Sequence, residues 1–231
     1  YEDRPEELTQ EELFKISHEA KNDEMNLEVL KYFLAIFHRQ FDQPQVHEVT
    51  RALRKVVDEY EDRVLIGETD DIAFYGDNDN ELHLNFNFPL MRTPKITAPH
   101  VRNNQKERLS ILPKWAWPCN TFGNHDSSRS FSNYGDGRNN EHQAKLYLML
   151  LLTLKGTPFL YNGEEIGMSD YMIMDPKLFR DPLSTIFYEW AKSLLGMNDE
   201  EAIKVGAVRG RDKCRTPMQW TSEKNGGFCP Q

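Results

Sequence analysis

Three things are scarce in this chain of 231 residues, and each scarcity argues against a class of function. No stretch approaches the ~18 to 20 consecutive apolar residues that a membrane-spanning helix needs. Charged residues make up 28% and the mean hydropathy is negative, so no membrane role is expected. Positive charge is in deficit, with a formal net charge of -9. Nothing offers the basic stripe that neutralises phosphates, which argues against a nucleic-acid partner. Cysteine occurs only at positions 119, 214 and 229. Three cysteines cannot all pair within the chain, and their spacing fits no zinc pattern, so no metal site and no cofactor are expected. Unpaired thiols favour a reducing compartment, here the cytoplasm, unless a leader has been lost upstream. Internal repeats and low-complexity segments are absent as well.

What is present begins with Phe122-Gly123-Asn124-His125-Asp126-Ser127-Ser128-Arg129, reached through the apolar approach Trp115-Ala116-Trp117-Pro118. A carboxylate next to a His and near an Arg can be held ionised, and it can hydrogen-bond vicinal hydroxyls bidentately. The same residues also make an ordinary polar turn, and local composition does not separate the two readings. Upstream, Arg63-Val64-Leu65-Ile66-Gly67-Glu68 is an apolar strand-like run that ends abruptly in an acid. A helix, a short buried strand and then an acid is the order by which a parallel α/β barrel delivers catalytic groups to its C-terminal rim. A Glu desolvated there has its pKa pushed upward, as a general acid needs; alternatively, Glu68 merely caps the next loop.

Periodicity predicts helices over Gln45–Tyr60, His100–Leu112, Glu141–Lys155 and Ser184–Leu195, and two more near Thr9–Ala20 and Met25–Gln40. On the first of these, Val46, Val49, Leu53, Val56 and Val57 form an apolar face. On the third, Leu146, Leu150, Leu151 and Leu154 do the same. Strands are expected near Val64–Gly67, Leu82–Phe88, Asn120–Asn124 and Thr157–Tyr161, with a turn at Tyr75-Gly76-Asp77. The remainder, from Asp170 to Gly210, reads as an irregular excursion carrying one helix.

Four segments in this order resemble conserved regions of the α-amylase superfamily of retaining glycoside hydrolases, specifically its α-glucosidase branch. Leu65-Ile66-Gly67-Glu68 resembles the fifth-strand region, whose Glu is the general acid/base. Asn124-His125-Asp126 resembles the seventh-strand region, whose His and Asp hold the sugar and stabilise the transition state. Gly156 to Met168 resembles the eighth strand and its loop. Arg211-Asp212-Lys213-Cys214-Arg215-Thr216-Pro217-Met218-Gln219-Trp220 resembles a signature of the α-glucosidase branch. The resemblance implies an α/β fold, a partial TIM (β/α)8 barrel comprising strands 5 to 8 with their helices. Residues 1–43 would be an excursion before the fifth strand, 44–168 the four strand units, and 169–231 a rim excursion and the final barrel helix region.

The family's nucleophile, an Asp in a Gly-x-Arg-x-Asp setting, has no counterpart here, so the chain is expected to be a fragment that is inactive alone. The implied roles are Glu68 as acid/base and Asp126 as transition-state stabiliser, with His125, Arg211, Asp212 and Arg129 binding substrate. For Arg129, contact with a neighbouring carboxylate and simple bracing of the loop both remain open. Glu164 and Glu165 are read as structural. The implied substrate is a small-molecule α-glucoside. A second reading, from a different class, is the α-glucosidase-like heavy-chain subunit of an amino-acid transporter, which resembles these enzymes without being one.

Overall fold

Pro44 opens the first helix of the computed structural model, which describes residues 43–228; the helices expected near Thr9–Ala20 and Met25–Gln40, and Cys229, lie outside the described residues. This helix, α1 (Pro44–Val57), starts from an extended Gln43 and carries Arg54 and Lys55 in its last turn, where cations complement the helix dipole. Its apolar face does not point inward as expected. Val49 is 67% exposed, Leu53 and Val56 are also exposed, and Thr50 and Arg54 are buried instead. The reason is Glu81, only 1% exposed, whose carboxylate takes His47 Nδ1 at 2.8 Å and Arg51 Nη1 at 2.7 Å. Arg54 adds bonds to the Glu81 carbonyl, Asp79 and Asp58. Residues 47, 51, 54 and 58 share one side of the helix, so α1 docks through its polar side.

The next two strands are β1 (Ile66–Gly67) and β2 (Leu84–Asn85), paired in parallel with Ile66 opposite Leu84. Between them a 3-10 turn, Ile72–Tyr75, stops at Gly76, close to the expected turn. The strand expected over Leu82–Phe88 is cut short because a helical turn begins at Phe88, with Pro89 in its first turn. Then follow α2 (Ala98–Ile111), capped by the Thr97 hydroxyl, β3 (Cys119–Thr121), α3 (Asn140–Thr153) and β4 (Thr157–Phe159). Strands β3 and β4 are parallel, Cys119 opposite Thr157, so β3, α3 and β4 form a strand–helix–strand unit. On α3 the buried residues are Tyr147 and Leu151, while Leu146, expected inside, is exposed. The core gathers Leu90, Ile96, Val101, Phe122, Tyr134, Tyr147 and Leu151.

No ladder bonds join β2 to β3; side chains close that seam. Asn87 donates to Asn104 and Asn120, Gln105 donates to both of those, and Asn104 returns a bond to Asn87, all at 2.9–3.1 Å. Tyr75 donates to the Trp117 carbonyl and accepts from the Asn85 amide, and the Cys119 thiol donates to the Asn85 carbonyl. The cross-contacts Asn85 to Cys119 and Asn87 to Asn120 advance together, so β3 runs beside β2 in the same sense.

The segment expected to be mostly irregular contains two helices, α4 (Pro182–Ser193) and α5 (Asp199–Arg209). Asn198 and Glu201 form a reciprocal capping box at the start of α5. The two helices pack closely: a Cβ on Gly210 would lie 1.8 Å from the Ser184 hydroxyl, so only glycine lets them approach there. This antiparallel hairpin sets the N-terminus of α4 beside the C-terminus of α5.

Candidate active site

Thr121 ends β3, and its hydroxyl donates to the Gly123 carbonyl while accepting the Gly123 amide, which bends the chain away from the sheet. Asn124 then accepts the Asp126 amide at 3.0 Å in an Asx turn, leaving His125 and Asp126 on the outer side of the loop. The loop therefore presents its imidazole and carboxylate at the C-terminal end of a parallel strand, where such sheets carry their sites.

One oxygen of Asp126 is the meeting point of three cationic or potentially cationic groups. Arg211 Nη1 donates to Oδ1 at 3.0 Å, Arg215 Nη2 donates to the same atom, and His125 Nε2 lies 3.5 Å away. Arg211 and Arg215 reach it together because the 211–215 segment makes a helical-type turn: Cys214 N bonds the Arg211 carbonyl and Arg215 N bonds the Asp212 carbonyl. Arg215 Nε and the Cys214 thiol also donate to the His125 carbonyl, which fastens the loop from below. Partial burial alone would raise the Asp126 carboxyl; the Arg215 hydrogen bond and the charges of His125, Arg211 and Arg215 outweigh it and hold the group below the ordinary aspartate range. The second oxygen, Oδ2, takes no hydrogen bond from the described residues, and the side chain is 34% exposed. A preset anion with one free acceptor is suited to hydroxyls.

The other residues singled out from the sequence are placed as follows. Asp212 is buried, and its two oxygens accept the Arg180 and Asp181 amides at 3.0–3.2 Å. It holds backbone rather than facing the loop opening. Arg129 is also buried: it donates to the carbonyls of Asn162 and Thr216 and sits 4.9 Å over the Tyr161 ring. Of the two readings left open for Arg129, loop bracing is the one its contacts match. Glu164 and Glu165 accept the Tyr161 and Gly163 amides, as a structural loop requires. Burial raises the Glu164 carboxyl despite that bond and nearby Arg129. Glu68 follows β1 directly and is exposed, with no hydrogen bond or ion pair to any described residue. The desolvation expected for it is therefore not supplied by the described residues. Since β1, β2 and β3 share one direction, Glu68 and Asp126 both follow C-terminal strand ends.

Two residues that matter to this arrangement carried no assigned role in the sequence reading. Arg215 lies four residues after Arg211, a spacing that could have flagged it. Asp181 takes a bidentate fork from Arg211, Nε at 3.0 Å and Nη2 at 2.8 Å; its only local signal was the Asp181-Pro182 start of a helix. Two grooves, about 470 Å³ between α2 and α3 and about 370 Å³ beside Glu164 and Glu165, are lined by neither His125, Asp126, Arg211 nor Arg215. Among the described residues no group of three or more His, Cys, Asp or Glu could hold a metal ion, and no helix is long and apolar enough to cross a membrane. Cys119 and Cys214 are buried free thiols.

Residues 5–231 match the model of the alpha amylase catalytic domain. The trehalose-6-phosphate hydrolase of Bacillus subtilis is 31% identical over 211 residues, which cover 81% of this chain and 36% of that protein. The oligo-1,6-glucosidase of Halalkalibacterium halodurans is 29% identical over 202 residues, covering 80% and 36%. Among solved structures, the trehalulose synthase of Pseudomonas mesoacidophila MX-45 superposes with a TM-score of 0.70 at 26% identity, over 92% of this chain and 41% of that one. The chain thus spans little more than a third of the length of the curated relatives it matches.

Proposed function

Because the chain belongs to the alpha-amylase catalytic-domain family, we propose that it is the part of a retaining α-glucosidase that carries strands five to eight of a (β/α)8 barrel, here β1 to β4. In this reading Glu68 is the general acid/base and Asp126 the transition-state stabiliser. The attacking carboxylate comes from outside these residues, since no Gly-x-Arg-x-Asp setting occurs among them, and the 231 residues alone are inactive. Relatives named trehalose-6-phosphate hydrolase, oligo-1,6-glucosidase and alpha-glucosidase support α-linked glucosides as the substrate class. Buried free thiols at Cys119 and Cys214 support a reducing compartment such as the cytoplasm.

The observation that carries this reading is the Asp126 carboxylate, one oxygen gripped by Arg211 and Arg215 and the other free. Retaining enzymes place two carboxyl groups about 5 to 5.5 Å apart across the anomeric carbon, one attacking and one donating then recovering a proton. A third carboxylate on the sugar hydroxyls tightens as the ring flattens toward the oxocarbenium ion, so it lowers the barrier more than it strengthens ground-state binding. His125, beside Asp126, donates to the same hydroxyls. Arg211 and Arg215 keep the carboxylate ionised and aimed.

Glucose release from maltose, isomaltose, sucrose and trehalose by the protein that carries this chain tests the proposal. Turnover of at least one is expected. Glu68→Gln should abolish hydrolysis of natural sugars while sparing only the bond-breaking step on glycosides with activated leaving groups, which need no proton; the later water step, which needs the base, should stay slow. Failure on all four sugars by a folded protein overturns the enzyme reading in favour of a non-catalytic relative.

A further inference from the structure

The most sheltered carboxylate near the loop is Asp181, whose side chain is 0% exposed. It caps α4 through the Leu183 amide at 3.3 Å, and its oxygens also take Arg211 N at 2.7 Å, Nε at 3.0 Å and Nη2 at 2.8 Å. The Arg211 fork holds its carboxyl down to about 2. The Asp181 amide is in turn gripped by both oxygens of Asp212. Arg211 is left with one terminal nitrogen, Nη1, and that nitrogen bonds Asp126.

We infer that Asp181 is a positioning residue, fixing the Arg211 guanidinium and through it the Asp126 carboxylate, with Asp212 fixing Asp181. This rests on the reading of Asp126 as the sugar-facing group. Arg211 and Arg215 both touch Asp126, but they tether it differently. Arg215 bonds the His125 carbonyl as well, so it moves with the loop it holds. Arg211 instead ties the loop to the α4–α5 hairpin. An arginine held at one exposed oxygen keeps much of its rotamer freedom, whereas a bidentate fork fixes the plane of the guanidinium. The hairpin is what brings position 181 next to position 211, because the start of α4 meets the end of α5.

The test uses Asp181→Asn and Asp181→Glu in the protein that carries this chain. Asn keeps the cap acceptor and the volume but loses the charge and one acceptor; Glu keeps the fork one methylene further out. Two quantities are read: the Asp126 carboxyl titration by carbon NMR, and kcat and KM on an α-glucoside. In Asp181→Asn, Asp126 should titrate at higher pH, because Arg211 is no longer held against it. The kcat should fall about tenfold to a hundredfold with KM changed less than about twofold, the signature of a contact that matters in the transition state. Asp181→Glu should restore part of both. An unshifted or lowered Asp126 titration in folded Asp181→Asn overturns the inference, leaving Asp181 a helix cap. Should Asp181→Asn fail to fold, Asp212→Asn carries the test, since loosening the Asp181 backbone must shift Asp126 the same way. A shifted Asp126 in a protein that cleaves no α-glucoside supports the positioning role and sinks the sugar reading alone.

Discussion

The surroundings of Asp126 and of Glu68 differ, and the difference is the one that the two proposed roles call for. Asp126 is enclosed by Arg211, Arg215 and His125, each supported by further contacts in the 211–215 segment and the hairpin. Glu68 stands at the end of a two-residue strand without a cation beside it among the described residues. A carboxylate that must remain charged gains from guanidiniums, while one that must pick up and release a proton would be disabled by them. Glu68 is exposed among the described residues, as is the apolar stripe of α1.

After Glu68→Gln, the largest effect should come from Asp126→Asn: kcat down on the order of a hundred- to a thousandfold, with thermal unfolding little changed because the side chain is partly exposed. A comparable loss of folding stability would mean that the clamp is structural. On the other side, Glu81→Ala removes the buried partner of His47 and Arg51 and should cost about 2 kcal/mol by urea denaturation, with the Asp126 titration untouched. Movement of Asp126 in that variant would erase the separation between the two regions. Gly210→Ala should cost about 1 to 2 kcal/mol by forcing α4 from α5, and unlike Glu81→Ala it should also lower kcat.

Acid should weaken the Asp126 side. The folded-state pKa values of Asp126 and Asp181 lie below their unfolded values, Asp181 at about 2. Their stabilisation is therefore complete above the unfolded aspartate pKa of about 3.9 and is lost as pH falls through the folded values. Urea midpoints from pH 6 to pH 2 should decline less steeply in Asp181→Asn than in the parent; equal slopes would refute the linkage. The smallest effect belongs to Leu53→Ser on the exposed stripe, within about 0.5 kcal/mol. A loss above about 1 kcal/mol would show that the stripe is covered in solution.

Much of this was legible in the sequence where the signal is local. The sequence ranges for α1, α2, α3 and α4 fall within a few residues of the observed helices. Helix α5 was missed although Asn198 and Glu201 spell out its capping box. The strands came out shorter than the apolar runs because an apolar run records burial, and Phe88 is buried in a helical turn. The outward face of α1 was unreadable, since it depends on Glu81 pairing with residues 30 and 34 positions earlier. At the site, His125, Asp126 and Arg211 were named and do meet. Asp181 and Arg215 were not assigned because their importance arises only when the hairpin folds back on the loop.

The amides of Asn87, Asn104, Gln105 and Asn120 carry no titratable group, so the bonds that stitch β2 to β3 are indifferent to protons. Acidification should then slacken the loop around Asp126 while these bonds between β2 and β3 persist. A state with that seam intact and the Asp126 loop undone would lose the proposed sugar-facing anion yet be able to regain it on neutralisation, without having to refold.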